Sequence, residues 1–130
     1  RRGGGATRNG RAIRASETAD MARATIEVGW SSRRPSSDYL GLVGGVMEAG
    51  ANAKRSASGA LGIAYVADGR TDAYVETHIN SWDVAAGLVI AREAGAWTSD
   101  FFAGEGLAKG NPVLVAAPGV AGAMRRIAGF

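Results

Sequence analysis

Cysteine is absent from the chain. That removes a disulfide framework, a thiolate metal site and a cysteine nucleophile together, and it is compatible with a reducing compartment. Histidine occurs once, as His78, so a Ser-His-Asp triad would have to be built on it, yet no G-x-S-x-G elbow supplies the serine. His78 therefore reads as a loop residue near a site. No apolar run approaches the roughly 20 residues that span a bilayer. The opening RRGGGATRNGR lacks the apolar centre of a signal peptide. The expectation is a soluble, cytoplasmic protein with no membrane partner. The glycines at 104, 106 and 110 form neither a G-x-G-x-x-G nor a Walker pattern ahead of a helix, so that stretch reads as a connection.

Charge is scarce in concentrated form as well. Lys and Arg number 15 against 12 Asp and Glu, a formal net charge of +3. The basic residues are spread out, with no run longer than a pair: Arg1, Arg2, Arg8, Arg11 and Arg14 early, then Arg33 and Arg34, Lys54 and Arg55, Arg125 and Arg126. A nucleic-acid surface needs them on one face with stacking aromatics between, so no nucleic-acid partner is expected and the pairs read as solvated surface. What the chain does have is apolar residues, 46%, and 20 glycines across 130 residues. That is a globular composition with many tight turns, and its length suits one domain covering residues 1–130.

Strand and helix patterns alternate along the chain. Asn9-Gly10 between Ala6-Thr7 and Ala12-Ile13-Arg14 predicts a hairpin. Ala24 to Val28 reads as a strand, and Ser37 opens a helix with Leu40, Val43, Val46 and Met47 on one face. Ser56 to Ala60 leads into a second helix marked by Leu61, Ala64, Tyr65 and Ala67. Asp72 to Glu76 reads as a strand, Trp97 to Ser99 as a short one, and Pro112 to Ala116 as a buried one; Pro118-Gly119 opens a last helix. The expected fold class is α/β, a mixed or mostly parallel sheet flanked by helices.

The clearest element is the helix from Ser81 to Ala94. Its apolar stripe runs through Val84, Leu88, Ala91 and Ala94, Ser81 is placed to cap it, and Gly95 stops it. Trp82 and Trp97 read as core and edge packing. Asp83 falls in the first turn, where the helix dipole favours an anion, and Glu76 ends the preceding strand. Two acids thus face one loop, either as a metal and ligand site or as a cap and its neighbour. Glu93 lies roughly 15 Å along the axis from Asp83, too far to share an ion.

Beyond those acids, Trp82-Asp83-Val84-Ala85-Ala86-Gly87, followed by Glu93-Ala94-Gly95-Ala96, resembles the carboxyl-terminal signature of the inositol monophosphatase family: Trp-Asp, two small residues, a Gly and, after a helix, Glu-Ala-Gly-Gly. The hairpin GGGATRNGRAIRAS, the segment RSASGALGIAYVADGRTDAY and the closing KGNPVLVAA extend the likeness over nearly the whole chain, as the second half of a family member. The resemblance implies the carboxyl-terminal layer of an αβαβα sandwich, with residues 1–16 as a hairpin belonging to the first-half sheet. It implies a magnesium-dependent (Mg2+) phosphate monoester hydrolase acting on a small phosphorylated substrate, such as an inositol phosphate. Asp83 would be a metal ligand, Glu76 would hydrogen-bond substrate hydroxyls, and Ala57, Ser58 and Gly59 would form the substrate loop. A homodimer, or a complementing amino-terminal half, is the implied partner.

This chain departs from the family pattern at three places. Ala57 stands for the usual Gly, Gly59 for the usual Ala, and Ala96 for the last Gly of the signature. The family's other metal ligands, a helical Glu and a DPIDGT-type loop, belong to the first half and have no counterpart in these residues. Monoester hydrolysis needs neutralised phosphoryl oxygens, an activated water and a stabilised leaving oxygen. No residue here is therefore a catalytic candidate, and the isolated chain is expected to be inactive. The competing expectation is a non-catalytic α/β half-domain serving as an assembly module.

Overall fold

The computed structural model describes residues 3–130, so the Arg1-Arg2 pair lies outside the described residues. A small hairpin comes first, β1 (Thr7–Arg8) and β2 (Arg11–Ala12), followed by a single 3-10 turn over Met21–Arg23. The main sheet comprises β3 (Thr25–Val28), β4 (Asn52–Lys54), β5 (Ala73–Ile79), β6 (Trp97–Thr98) and β7 (Asn111–Ala116) in the order β4-β3-β5-β7-β6. β3 runs parallel to β4 and β5, whereas β7 runs antiparallel to β5 and β6, so the sheet is mixed, as the pattern predicts. The helices are α1 (Ser36–Glu48), α2 (Gly59–Ala67), α3 (Ser81–Glu93), a short α4 (Gly106–Lys109) and α5 (Pro118–Ala128).

Each central strand serves both faces by strict alternation. Tyr74, Val113 and Val115 belong to the core under α2 and α3, with Ile63, Val66 and Leu88. Ala73, Val75, Leu114 and Ala116 belong to the core under α1 and α5, with Val46, Val120 and Met124. Each such fully buried aliphatic side chain contributes about 1.5–3 kcal/mol relative to exposure. On β3 the same alternation sends Ile26 and Val28 to the α1 side and leaves Glu27 on the α2 side, in register with Tyr74. No helix among the described residues is long and apolar enough to cross a membrane.

The Asn9-Gly10 turn has positive φ at both positions, 52° and 78°, the type I′ geometry that the pair favours. The hairpin makes its own two-stranded sheet and lies against α3 and the end of α2. The carboxylate of Glu93 accepts the N–H groups of Gly3 and Gly5, both at 2.8 Å, and Arg8 pairs with Asp68 at 2.9 Å. Glu93 is thus the anchor of the hairpin, a role its position on the helix did not reveal.

Several expectations need correction. β5 runs on to Ile79, so His78 is a strand residue rather than a loop residue. Asn80, not Ser81, occupies the N-cap of α3, without a side-chain bond, and the Ser81 hydroxyl donates to the Leu107 carbonyl at 2.8 Å. α1 begins at Ser36 behind Pro35, one residue before the expected Ser37 cap. Trp82 is 76% exposed, not core: it precedes Val84 by two residues, which turns it about 200° away from the buried stripe. Leu40, Met47 and Leu61 are exposed too, and the buried faces are Leu42 with Val46 on α1 and Ile63 with Val66 on α2. Both helices carry apolar residues on more than one face, so spacing alone does not choose between them. Trp97 does sit half-buried on the edge strand, under the guanidinium of Arg125 at 5.1 Å.

α2 packs on β5 through Gly62, where an added Cβ would come within 2.7 Å of Tyr74 Cε2. Helix propensity alone would favour Gly62→Ala by about 1 kcal/mol, but overpacking against a fully buried ring costs about 1–3 kcal/mol. The expected net result is a lower denaturation midpoint by urea titration; a raised midpoint would mean that the ring gives way freely.

Candidate active site

Three chain segments leave the sheet along one edge because β4, β3 and β5 run in the same direction. Arg55–Ser58 follows β4, Gly29–Arg33 follows β3, and Asn80 leads from β5 into the first turn of α3. Between them lies a cleft of about 390 Å³. The carboxyl ends of parallel strands are where open α/β sheets bind ligands. Glu76, Asp83, Ala57, Ser58 and Gly59, singled out from separate stretches of sequence, all line it.

Glu76 and Tyr74 project from the same face of β5, two residues apart, and the Tyr74 hydroxyl donates to Glu76 Oε2. Burial chiefly, with the Glu76 charge second, pushes the Tyr74 hydroxyl far up, so it stays a neutral donor. Burial also raises Glu76, with the Asp83 charge adding to it, against the Tyr74 hydrogen bond and the charges of His78 and Arg55. Gly29 crosses directly over this pair: a Cβ there would collide with Glu76 Oε2 and come within 2.5 Å of the Tyr74 hydroxyl.

The loop over residues 56–59 is pinned from below. Glu27 is 1% exposed, and its Oε1 accepts both the N–H, at 3.3 Å, and the hydroxyl of Ser56. Its Oε2 has no hydrogen-bond partner, and Lys54 Nζ stands 3.6 Å away. Ala57 has φ of 60°, the left-handed region that favours the glycine it replaces. Ser58 caps α2 by accepting the Leu61 N–H at 3.3 Å, which leaves its own proton to donate. Gly59 has a packing reason: a Cβ there would press on Ile79 and the Tyr74 hydroxyl.

Asp83 is exposed in the first turn of α3, and its carboxylate takes no hydrogen bond or ion pair from any described residue. A free carboxylate with waters and a substrate phosphate suits magnesium, which usually takes only one or two protein carboxylates. The donor set fits that ion in kind and is incomplete in number. Among the described residues no group of three or more His, Asp or Glu side chains could hold a metal ion. His78 Nε2 donates to the Lys109 carbonyl at 3.0 Å, and Nδ1 is buried without a hydrogen-bond partner.

Sequence reasoning missed Glu27, Trp30, Arg33, Tyr74 and Arg55, all of which line the cleft. An acid at an inward position of an otherwise apolar strand, Ala24 to Val28, was the available signal for Glu27. Reading every basic pair as solvated surface was wrong for two of them: Arg33 and Arg55 belong to the cleft.

The sequence model of the inositol monophosphatase family matches residues 1–128. This chain belongs to the inositol monophosphatase family. It is 42% identical over 102 residues to the Nus factor SuhB of Xylella fastidiosa, covering 77% of this chain and 37% of that protein. To the inositol-1-monophosphatase of Mesorhizobium japonicum it is 36% identical over 115 residues, covering 87% of this chain and 43% of that protein. Among solved structures, the extragenic suppressor protein suhB of Bartonella henselae superposes with a TM-score of 0.86 at 30% identity, covering 98% of this chain and 49% of that one. The chain therefore spans less than half the length of these family members, and the fold it shares with them is the inositol monophosphatase fold.

The burial of Glu76 has a consequence for stability. A carboxylate raised on folding from its ordinary value near 4.5 binds its proton more tightly in the folded state. Its contribution is full below the unfolded value and is lost as pH rises through the folded one. Glu76→Gln keeps an acceptor for Tyr74 and removes that loss. Denaturant titrations are expected to find the variant more stable than the parent at pH 7, with the gain vanishing below about pH 4.5. A gain independent of pH would contradict the assignment.

Proposed function

We propose that this chain forms the substrate-gripping side of a magnesium-dependent phosphomonoesterase that acts on an inositol phosphate or a related small ester. The observation that carries this reading is the convergence of Glu76, Asp83 and the loop over Ala57, Ser58 and Gly59 on one cleft at the carboxyl ends of parallel strands. Asp83 would hold the Mg2+, and when bound the ion supplies charge neutralisation and a more acidic water. Tyr74 occupies one oxygen of Glu76, leaving Oε1 to accept a substrate hydroxyl. Gly59 and Ala60, whose N–H groups have no helical partner as the first of α2, line the cleft, and such a helix start suits an anionic or hydroxylated group. Family membership supports phosphatase chemistry, and the remaining metal ligands would come from outside these residues.

A second reading, a non-catalytic assembly module, is favoured by the similarity to the Xylella fastidiosa protein, a Nus factor. One variant separates the two. Loss of an outer partner of a metal ligand typically costs 10–100-fold, so removing a ligand itself by Asp83→Asn should lower magnesium-dependent phosphate release by about 100-fold or more. The assay uses inositol 1-phosphate and the whole protein that carries this chain. Equal turnover by variant and parent, or none by the parent, would favour the assembly module.

A further inference from the structure

We propose that Glu27 is a positioning residue for the substrate loop: through Ser56 it holds Ala57 in a backbone conformation that glycine adopts freely and alanine does not, and so fixes the start of α2 against the bound ester. The inference rests on the phosphomonoesterase reading and adds to it a residue that sets substrate affinity without touching substrate.

The loop contains one strained residue. Ala57 has φ of 60°, where its Cβ crowds the following carbonyl, at the position where the family pattern has glycine. A residue with a side chain keeps such a conformation only where its surroundings over-determine it. Both neighbours of Ala57 are fixed. Downstream, Ser58 accepts the Leu61 N–H at 3.3 Å, and Gly59 leaves no room for a side chain against Ile79 and Tyr74. Upstream, the N–H and the hydroxyl of Ser56 both donate to Glu27 Oε1.

The packing gives no other reason for an acid at this place. Glu27 is buried and stands beside Tyr74 on the face of the sheet under α2. Its Oε2 has no hydrogen bond, and its cation, Lys54, is 3.6 Å away with a side chain 37% exposed. So loose a pair does little to offset the burial of a carboxylate, and an apolar side chain of similar volume would serve the fold as well. Such a side chain could not accept from Ser56. The carboxyl group is also wedged under α2, since a Cβ at Gly62 would come within 3.2 Å of Glu27 Cδ. One anchor thus holds both the loop and the helix that follows it.

Ala57, Ser58, Gly59 and Ala60 line the cleft. Release of Ser56 lets Ala57 relax toward an ordinary backbone conformation and carries the three residues after it out of place. The effect falls on substrate binding rather than on the chemical step, because Glu76 and Asp83 belong to β5 and α3 and keep their positions.

The test uses the whole protein, with two readouts in the presence of magnesium. One is isothermal titration with the phosphonate analogue of inositol 1-phosphate, whose C–P bond is not hydrolysed; the other is phosphate release from inositol 1-phosphate. Glu27→Met removes the acceptor and is expected to weaken analogue binding and raise KM by about tenfold, with kcat within about threefold. Its urea midpoint should be no lower than the parent's. Glu27→Gln keeps an acceptor for Ser56 and should bind within about threefold of the parent. Adding Ala57→Gly to Glu27→Met removes the strain and should recover most of the lost affinity. Unchanged affinity in Glu27→Met, or a loss that Ala57→Gly does not recover, overturns the positioning role even if the protein is a phosphatase. The expected pattern of affinities without any turnover upholds the role and sinks the phosphatase reading alone. A parent that does not bind the analogue overturns both.

Discussion

The Tyr74 side chain is the constraint on which core and site both depend. Its ring is fully buried under α2, and its hydroxyl is spent on Glu76. Close approach from the loop after β3 and from two turns of α2 is possible only because Gly29, Gly59 and Gly62 present no side chain to it. Desolvation keeps the phenol neutral, so it can only donate, and Glu76 is thereby fixed with one oxygen occupied. The packing that closes this side of the sheet also orients the carboxylate in the cleft.

Strand direction does the rest of the positioning. Because β4, β3 and β5 are parallel, three loops open on one side, and the antiparallel β7 ends that set. The pairing of β5 with β7 shifts register between Glu76 and Ile79, an irregularity at the point where the strand enters the cleft. Such bulges re-aim side chains beside functional sites. Here the shift lets His78 reach the Lys109 carbonyl and delivers the chain to Asn80, from which α3 starts with Asp83 in its first turn.

Local patterns made part of this legible in the sequence. The α3 stripe with its Gly95 stop and the Asn9-Gly10 turn are short-range features, and each stands where its pattern says; the two acids do line one cleft, although Glu76 lies three residues inside β5 rather than at its end. What escaped depends on register between distant segments. Nothing near Arg55 says that Trp30 will lie beneath it, and nothing near Glu27 says that Ser56 will close over it. The polar Thr77-His78 pair hid the end of β5, since pairing with β7 rather than an apolar pattern keeps that segment extended. Exposed Trp82 and Leu61 misled for a related reason: large apolar residues on a helix announce burial only when they share the stripe that faces the sheet.

The energetics of the cleft bear on whether it is more than a packing surface. Glu27 and Glu76 are 1% and 8% exposed, and each is a charged group taken largely out of water. Glu27 meets its cation only at 3.6 Å and leaves one oxygen without a hydrogen bond; Glu76 faces another acid, Asp83, which raises it further. Replacing such acids with apolar residues of similar volume is commonly neutral or stabilising, so packing alone gives no reason for them. Unbalanced carboxylates that line a cleft together with arginines outside any ion pair are the arrangement expected where a ligand completes the electrostatics. Asp72, just before β5 at its other end, is buried as well, but its carboxylate accepts the Ser16 hydroxyl at 2.5 Å and the Thr25 N–H at 2.7 Å, so its burial is balanced by hydrogen bonds where that of Glu27 is not.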